Sequence, residues 1–340
     1  MRQEHPFAAY VRILGRGKSF QRSLTEAEAE DAMAMILAGD VLPEQLGAFL
    51  MLLRMKEETG GEIAGFVRAA RQSFDLPETM PAVDLDWSCY AGKKRQLPWF
   101  MLAAVVLAEN GVRIFMHGAD GHTPGRVYAR EVMDFLGLPV ASSLGEAARQ
   151  IEQDGISYLP LEHLSPRLHE MIELRPILGL RSPVHTLSRM LNPFAAAHMP
   201  QGIFHPGYGK IHQDAALALG QPHMAVFRGE GGEIERRPGK PATVETVHDG
   251  VAGSEEWPPL LPDPRQKYEE ELHLVRLIQV WQGVEESPFA SAAVTGTLAI
   301  VLKLMNRADS IAGAQTLAEE MWADRQKKRF GDRLRMETAE

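Results

Sequence analysis

The feature that most constrains this chain is a change of hydrophobic period near residue 81. Upstream, three stripes repeat at helical spacing: Ala29, Ala32, Met33, Ile36 and Leu37; then Leu46, Phe49, Leu50 and Leu53; then Ile63, Phe66, Val67 and Ala70. Three short amphipathic helices cannot each bury a face alone, so a small bundle is expected. Their boundaries are read as a capping box at Ser23-x-x-Glu26, a glycine stop at Gly39 and a cap at Asp40. Downstream, Val83, Leu85 and Trp87 alternate with Asp84 and Asp86, the period of a strand. A helix over about 99–110, a buried strand over 112–116 ending in His117-Gly118, and a helix over 126–136 follow. Ser143-x-x-Glu146 opens another helix, and 156–159 reads as a short strand. Strand and helix in alternation predict a largely parallel sheet covered by helices.

The last third is less regular. Residues 251–264 carry four prolines and no period, so a loop or wrap is expected there, with helices at about 264–283 and 288–306. No repeat of fixed period is visible. One cysteine, Cys89, excludes an intrachain disulfide and any zinc site built on several cysteines, and suits a reducing cytoplasm. The N-terminus lacks the apolar stretch of a signal peptide, and no apolar run is long enough for a membrane-spanning helix. With 36 Lys+Arg against 45 Asp+Glu the net charge is −9, so any site for anions must be a local cluster set against the overall field.

Ligands of parallel sheets bind beyond the carboxyl ends of the strands, which directs attention to the loops at 88–98 and 117–125. The first contains Tyr90-Ala91-Gly92-Lys93-Lys94-Arg95. Its three cations can meet several phosphates and Tyr90 can stack on a base; a solvated surface turn is the plainer alternative. His117, beside Gly118 and near Arg126, serves either as a phosphate or ribose contact or as a structural donor. His117 and His122 lack the further ligands a zinc site needs. Arg181 and His185 either face a cleft or cap a helix. Glu230 and Glu233 lie in a glycine-rich turn, either as solvated carboxylates or as a residual magnesium site completed by a substrate diphosphate. Arg16-Gly17-Lys18 reads as solvated charge, with a phosphate contact as the alternative; the basic segment Arg325–Arg335 reads as a frayed helical tail, with a second contact for nucleic acid or for the dimer partner as the alternative.

Several blocks in order resemble anthranilate phosphoribosyltransferase: LTEAEAEDAMAMILAGDVLPEQLGAFLMLLRMKEET at 24–59, RVYAREVMDFLG at 126–137, LRPILGLRSPVHTLSRMLNPF at 174–194 and HPGY at 205–208. The resemblance covers about residues 10–250. It implies an α/β fold in two parts: a small helical domain over 1–80, joined by part of about 165–200, and an α/β glycosyltransferase-like domain over 81–340 with C-terminal helices and a mixed, mainly parallel central sheet. It also implies a homodimer formed through the helical domain, and a phosphorylated sugar substrate with magnesium. Arg175 lies where the family's anthranilate-contacting arginine falls; its alternative is a salt bridge to Glu170 or Glu173. The family's Gly-Thr-Gly-Gly-Asp phosphate loop is here Ser88-Cys89-Tyr90-Ala91-Gly92, its Lys-His-Gly-Asn motif is Met116-His117-Gly118-Ala119, and its adjacent acidic pair is scattered in GEGGEIE at 229–235. These departures resemble a divergent paralogue group linked to sequence-independent binding of DNA or RNA. No catalytic residue is assigned. The expected function is nucleic-acid binding, with ribosyl phosphate transfer to an aromatic or nitrogen acceptor as the alternative.

Overall fold

The structure, a computed structural model, describes residues 4–17, 19–265, 268–269 and 271–331. Helices Ala8–Gly15, Glu26–Ala38, Pro43–Lys56 and Gly60–Gln72 form the N-terminal layer. The capping box lies two residues beyond the expected one. Thr25 Oγ1 accepts from the Glu28 amide and the Glu28 carboxylate accepts from the Thr25 amide. The sequence offers both registers, and side chains decide between them: Arg22 grips both Glu28 oxygens at 2.6 Å, while Glu26 is drawn to Arg68. Gly39 closes the helix at φ 83°, as expected. Asp40 does not cap the next one; Pro43 takes its first position, where a fixed φ and a missing N–H cost nothing. Gly65 lets two helices touch, since a Cβ there would lie 2.3 Å from the Glu26 carbonyl oxygen.

Seven strands form one sheet: β1 Leu85–Cys89, β2 Ile114–Gly118, β3 Ile156–Pro160, β4 His198–Ile203, β5 His223–Arg228, β6 Ala242–His248 and β7 Val251–Trp257. Their order is β3-β2-β1-β4-β5-β6-β7. The first five run parallel, and β6 and β7 add an antiparallel hairpin at one edge. The stretch expected to be a loop from residue 251 is therefore half strand. All four prolines fall after Trp257, and β7 hides from periodicity because it is an edge strand with only Trp257 buried. The helix expected from 264 begins only at Val275.

The sheet is covered on both faces. On one side Trp87 stacks on Phe100 and packs with the helices Phe100–Glu109 and Pro288–Leu304. On the other, Phe66 and Ile63 of the N-terminal layer join Leu159, Met199 and Met224 in a second continuous apolar cluster. Both faces of β1 are consequently buried, Asp86 included, although its sequence alternates. Among the described residues, no helix is long and apolar enough to cross a membrane.

Candidate functional site

Strands β1, β2, β4 and β5 are parallel, so the loops after Cys89, Gly118, Ile203 and Arg228 converge at one edge. Gly118 pinches β1 and β2 together there; a Cβ would sit 2.0 Å from the Cys89 carbonyl oxygen. The loop after β1 is closed from both sides. Glu233 Oε1 accepts from the amides of Ala91 (2.7 Å) and Gly92 (2.5 Å), and Arg126 Nη1 donates to the carbonyls of the same two residues, at 2.9 Å each. A backbone bridge to Val127 turns Lys93 inward, where its ammonium pairs with Glu235. The other oxygen of Glu235 accepts from Phe100 N, at the start of the following helix (2.9 Å). Backbone amides of a loop and of a helix start are the usual seats for phosphate. Here both are held by carboxylates of one turn.

That turn is packed hard against the sheet. A Cβ on Gly229 would lie 1.6 Å from the Glu233 carbonyl oxygen, and one on Gly202 2.4 Å from the Glu233 carbonyl carbon. Burial raises the Glu235 carboxyl to about 7, with Lys93 opposing the rise.

Beside the loop, a cleft of about 290 Å³ opens between the N-terminal layer and the sheet edge, lined by Arg54, Arg126, Arg181, His185, Arg189 and His212 among others. Its polar atoms lack protein partners to an unusual degree: Arg189 Nη1, His185 Nε2, His212 Nδ1 and Glu58 Oε2 are buried and unbonded. Burial first, then the neighbouring Arg126, Arg175 and Arg189, lowers Arg181 to about 10. Burial likewise lowers His122 to about 4 and His212 to about 3, and pushes His185 well below its ordinary value. A second pocket of about 360 Å³ adjoins the cleft and, among the described residues, carries Lys94, Arg95, Arg126, Arg228, Arg237 and Lys240 against one carboxylate, Glu230.

The structure divides the residues singled out in the sequence. Lys94, Arg95 and Arg126 face the second pocket, and Arg181 and His185 line the cleft. Tyr90 and Lys93 line neither pocket: Tyr90 is fully buried and bonds His117 Nδ1 at 2.8 Å, and Lys93 is buried on Glu235. No base can stack on Tyr90 in this arrangement. His117 continues the chain inward, buried, with Nε2 3.2 Å from Asp86 Oδ1, and lines neither pocket. Gly92 adopts φ 66°, and a Cβ there would lie 2.8 Å from the Tyr128 ring. Arg175 grips neither Glu170 nor Glu173; it donates to His122 O and Thr123 Oγ1, the latter shared with Arg181.

In the glycine-rich turn, Glu233 Oε1 holds the two amides while its Oε2 is buried without a partner, Glu235 holds Lys93, and Glu230 lines the second pocket. Among the described residues no group of three or more His, Cys, Asp or Glu side chains is placed to hold a metal, so a magnesium ion on Glu230 and Glu233 would need oxygens from a substrate diphosphate. In the basic C-terminal segment, Arg325 lies over the Trp322 ring at 3.7 Å and Arg329 pairs with Glu109, whereas Arg333 and Arg335 lie outside the described residues, as does Lys18. Sequence reasoning missed Arg54, Arg189, His212, Arg228, Arg237 and Lys240. Of these, only Arg54 and Arg189 fell inside blocks that had drawn attention.

Residues 9–74 match the model of the helical bundle domain of the glycosyl transferase family. The chain is 29% identical over 243 residues to the anthranilate phosphoribosyltransferase of Symbiobacterium thermophilum, covering 71% of this chain and 70% of the relative. The chain is anthranilate phosphoribosyltransferase-like. Two solved anthranilate phosphoribosyltransferases share the fold almost end to end. That of Thermus thermophilus has a TM-score of 0.74 at 21% identity, with 99% of both chains covered. That of Saccharomyces cerevisiae, solved with PRPP and Mg, has 0.75 at 16% identity, with 98% of this chain and 99% of the enzyme covered. The expected architecture, a small helical domain beside a mixed and mostly parallel sheet, is thus present.

Proposed function

We propose that this anthranilate phosphoribosyltransferase-like protein binds nucleic acid, DNA or RNA, through the phosphate backbone and without reading base sequence. The observation that carries the reading is the closure of the loop after β1: Glu233 and Glu235 already hold the Ala91, Gly92 and Phe100 amides that a sugar diphosphate would need. The neighbouring pocket, by contrast, offers six cations against one carboxylate among the described residues. Such a cluster attracts a polyanion locally although the whole chain carries −9. Fluorescence anisotropy with unrelated oligonucleotides tests this. Binding that is indifferent to sequence and falls steeply with salt is expected; no binding at low salt overturns it.

A second reading, ribosyl phosphate transfer, is favoured by the names of the relatives and by the yeast neighbour solved with PRPP and Mg. Under it Arg126 and Lys94 would receive the phosphorylated sugar and Arg175 or Arg181 an acidic acceptor, and the two carboxylates would have to leave the amides. Release of diphosphate from phosphoribosyl pyrophosphate with aromatic amines would establish it.

A homodimer through the helical layer belongs to the same proposal. Phe20, Leu42 and Met55 of that layer, with Ile177 and Leu180 of 175–180, are exposed and apolar, which supports it. Sedimentation showing only monomer at micromolar concentration would exclude it. A cytoplasmic location, suited to the one buried thiol of Cys89, is proposed with it.

A further inference from the structure

We infer that Phe204 and Tyr268 are base-stacking platforms, and that the preferred ligand of the second pocket is a single strand rather than a duplex. The inference rests on the nucleic-acid reading and goes further, since backbone contacts alone do not distinguish the two forms. Both rings line the pocket that gathers the six cations. Large apolar side chains normally avoid water, yet Phe204 is 54% and Tyr268 59% exposed. Each is paired with a cation of the same pocket: Arg95 lies over the Tyr268 ring at 4.4 Å and donates to its hydroxyl at 2.6 Å, and Arg228 lies 6.0 Å from the Phe204 centroid.

Phe204 directly follows β4, and its Cβ lies 3.4 Å from where a side chain on Gly232 would begin, so its backbone is set on the rigid sheet edge. Exposed rings interleaved with guanidinium groups are the arrangement that holds unpaired bases. The rings take the faces of the bases while the cations follow the phosphates, and every base has a face to offer. A duplex keeps its base faces stacked internally and can use only the cations.

The test compares a single-stranded oligothymidine with a duplex of equal length, for the full-length protein and for Phe204→Leu, Tyr268→Leu and the double variant. The leucines keep apolar bulk at exposed positions, and unchanged thermal melting checks the fold. Each leucine should weaken single-strand binding by about tenfold and leave duplex binding and the log-affinity against log-salt slope unchanged. Phe204→Tyr and Tyr268→Phe, which keep the ring, should bind as the parent does. A 2-aminopurine placed in the strand should lose fluorescence on binding to the parent and regain it with the double variant. Equal single-strand affinity in parent and double variant, or equal losses for strand and duplex, overturns the platforms while leaving backbone binding intact. If the parent itself binds no oligonucleotide at low salt, the nucleic-acid reading fails and this inference fails with it.

Discussion

Lys93, Lys94 and Arg95 stand together in sequence and part company in space. The run itself was legible, as was its place beyond β1. What faces Lys93 was not, because Glu235 lies 142 residues away. The consequence is a sharp difference between neighbours. Lys93→Ala leaves a buried carboxylate without its cation and should destabilise by about 3–5 kcal/mol; Lys94→Ala, exposed, should stay within about 0.5 kcal/mol. Urea unfolding at pH 8 and pH 5 adds a sign. Glu235 holds its proton up to about 7 in the folded protein, against 4.5 ordinarily, so it resists folding above that range and ceases to as pH falls through it. The Lys93→Ala deficit should therefore be larger at pH 8 than at pH 5. Equal deficits would mean Glu235 is not the partner that matters.

Glu233→Ala should lower the melting temperature, since two amides lose their acceptor, and millimolar diphosphate should restore part of the loss. A variant indifferent to diphosphate would show that these amides are not a phosphate seat. The buried histidines act in the opposite sense to Glu235. His122 at about 4 and His212 at about 3 stay neutral in the fold while the unfolded chain takes up protons below about 6.5. Their contribution is full above that pH and is lost as pH falls towards 4. His122→Gln should flatten the fall in melting temperature between pH 6.5 and 4, measured against the parent.

Among the elements, the bundle helices Glu26–Ala38, Pro43–Lys56 and Gly60–Gln72 and strands β1 to β3 were legible because each shows one clear period or ends on a glycine, whereas the helix Ala8–Gly15 and strands β4 to β6 were not read from the sequence. Two further kinds of feature were missed. One was the choice between overlapping caps: Thr25→Ala should cost about 1 kcal/mol in chemical unfolding and Ser23→Ala much less, because only Thr25 satisfies a helix amide. The reverse order would restore the earlier register. The other was β7, whose pairing with β6 is written in backbone hydrogen bonds and not in an apolar pattern. The candidate site was legible to the level of its loops. Its cleft draws Arg54, Arg181 with Arg189, and His212 from three separate stretches of chain, and no local spacing signals that convergence.

For the whole molecule, the proposed ligand surface is a property of several loops acting together. Arg228→Ala and Arg237→Ala should each flatten the salt dependence of single-strand affinity by about 0.7 in log–log slope and weaken all sequences alike. An unchanged slope would place the phosphates elsewhere. The Gly202 and Gly229 contacts bear on this surface in a different way. They wedge the backbone carrying Glu233 between the ends of β4 and β5, so withdrawing that side chain by loop movement would require prising sheet strands apart. Access to the Ala91 and Gly92 amides is therefore a matter of one side chain, Glu233, turning away or being substituted, and not of the turn moving, so both apolar cores stay as they are whichever state the loop takes.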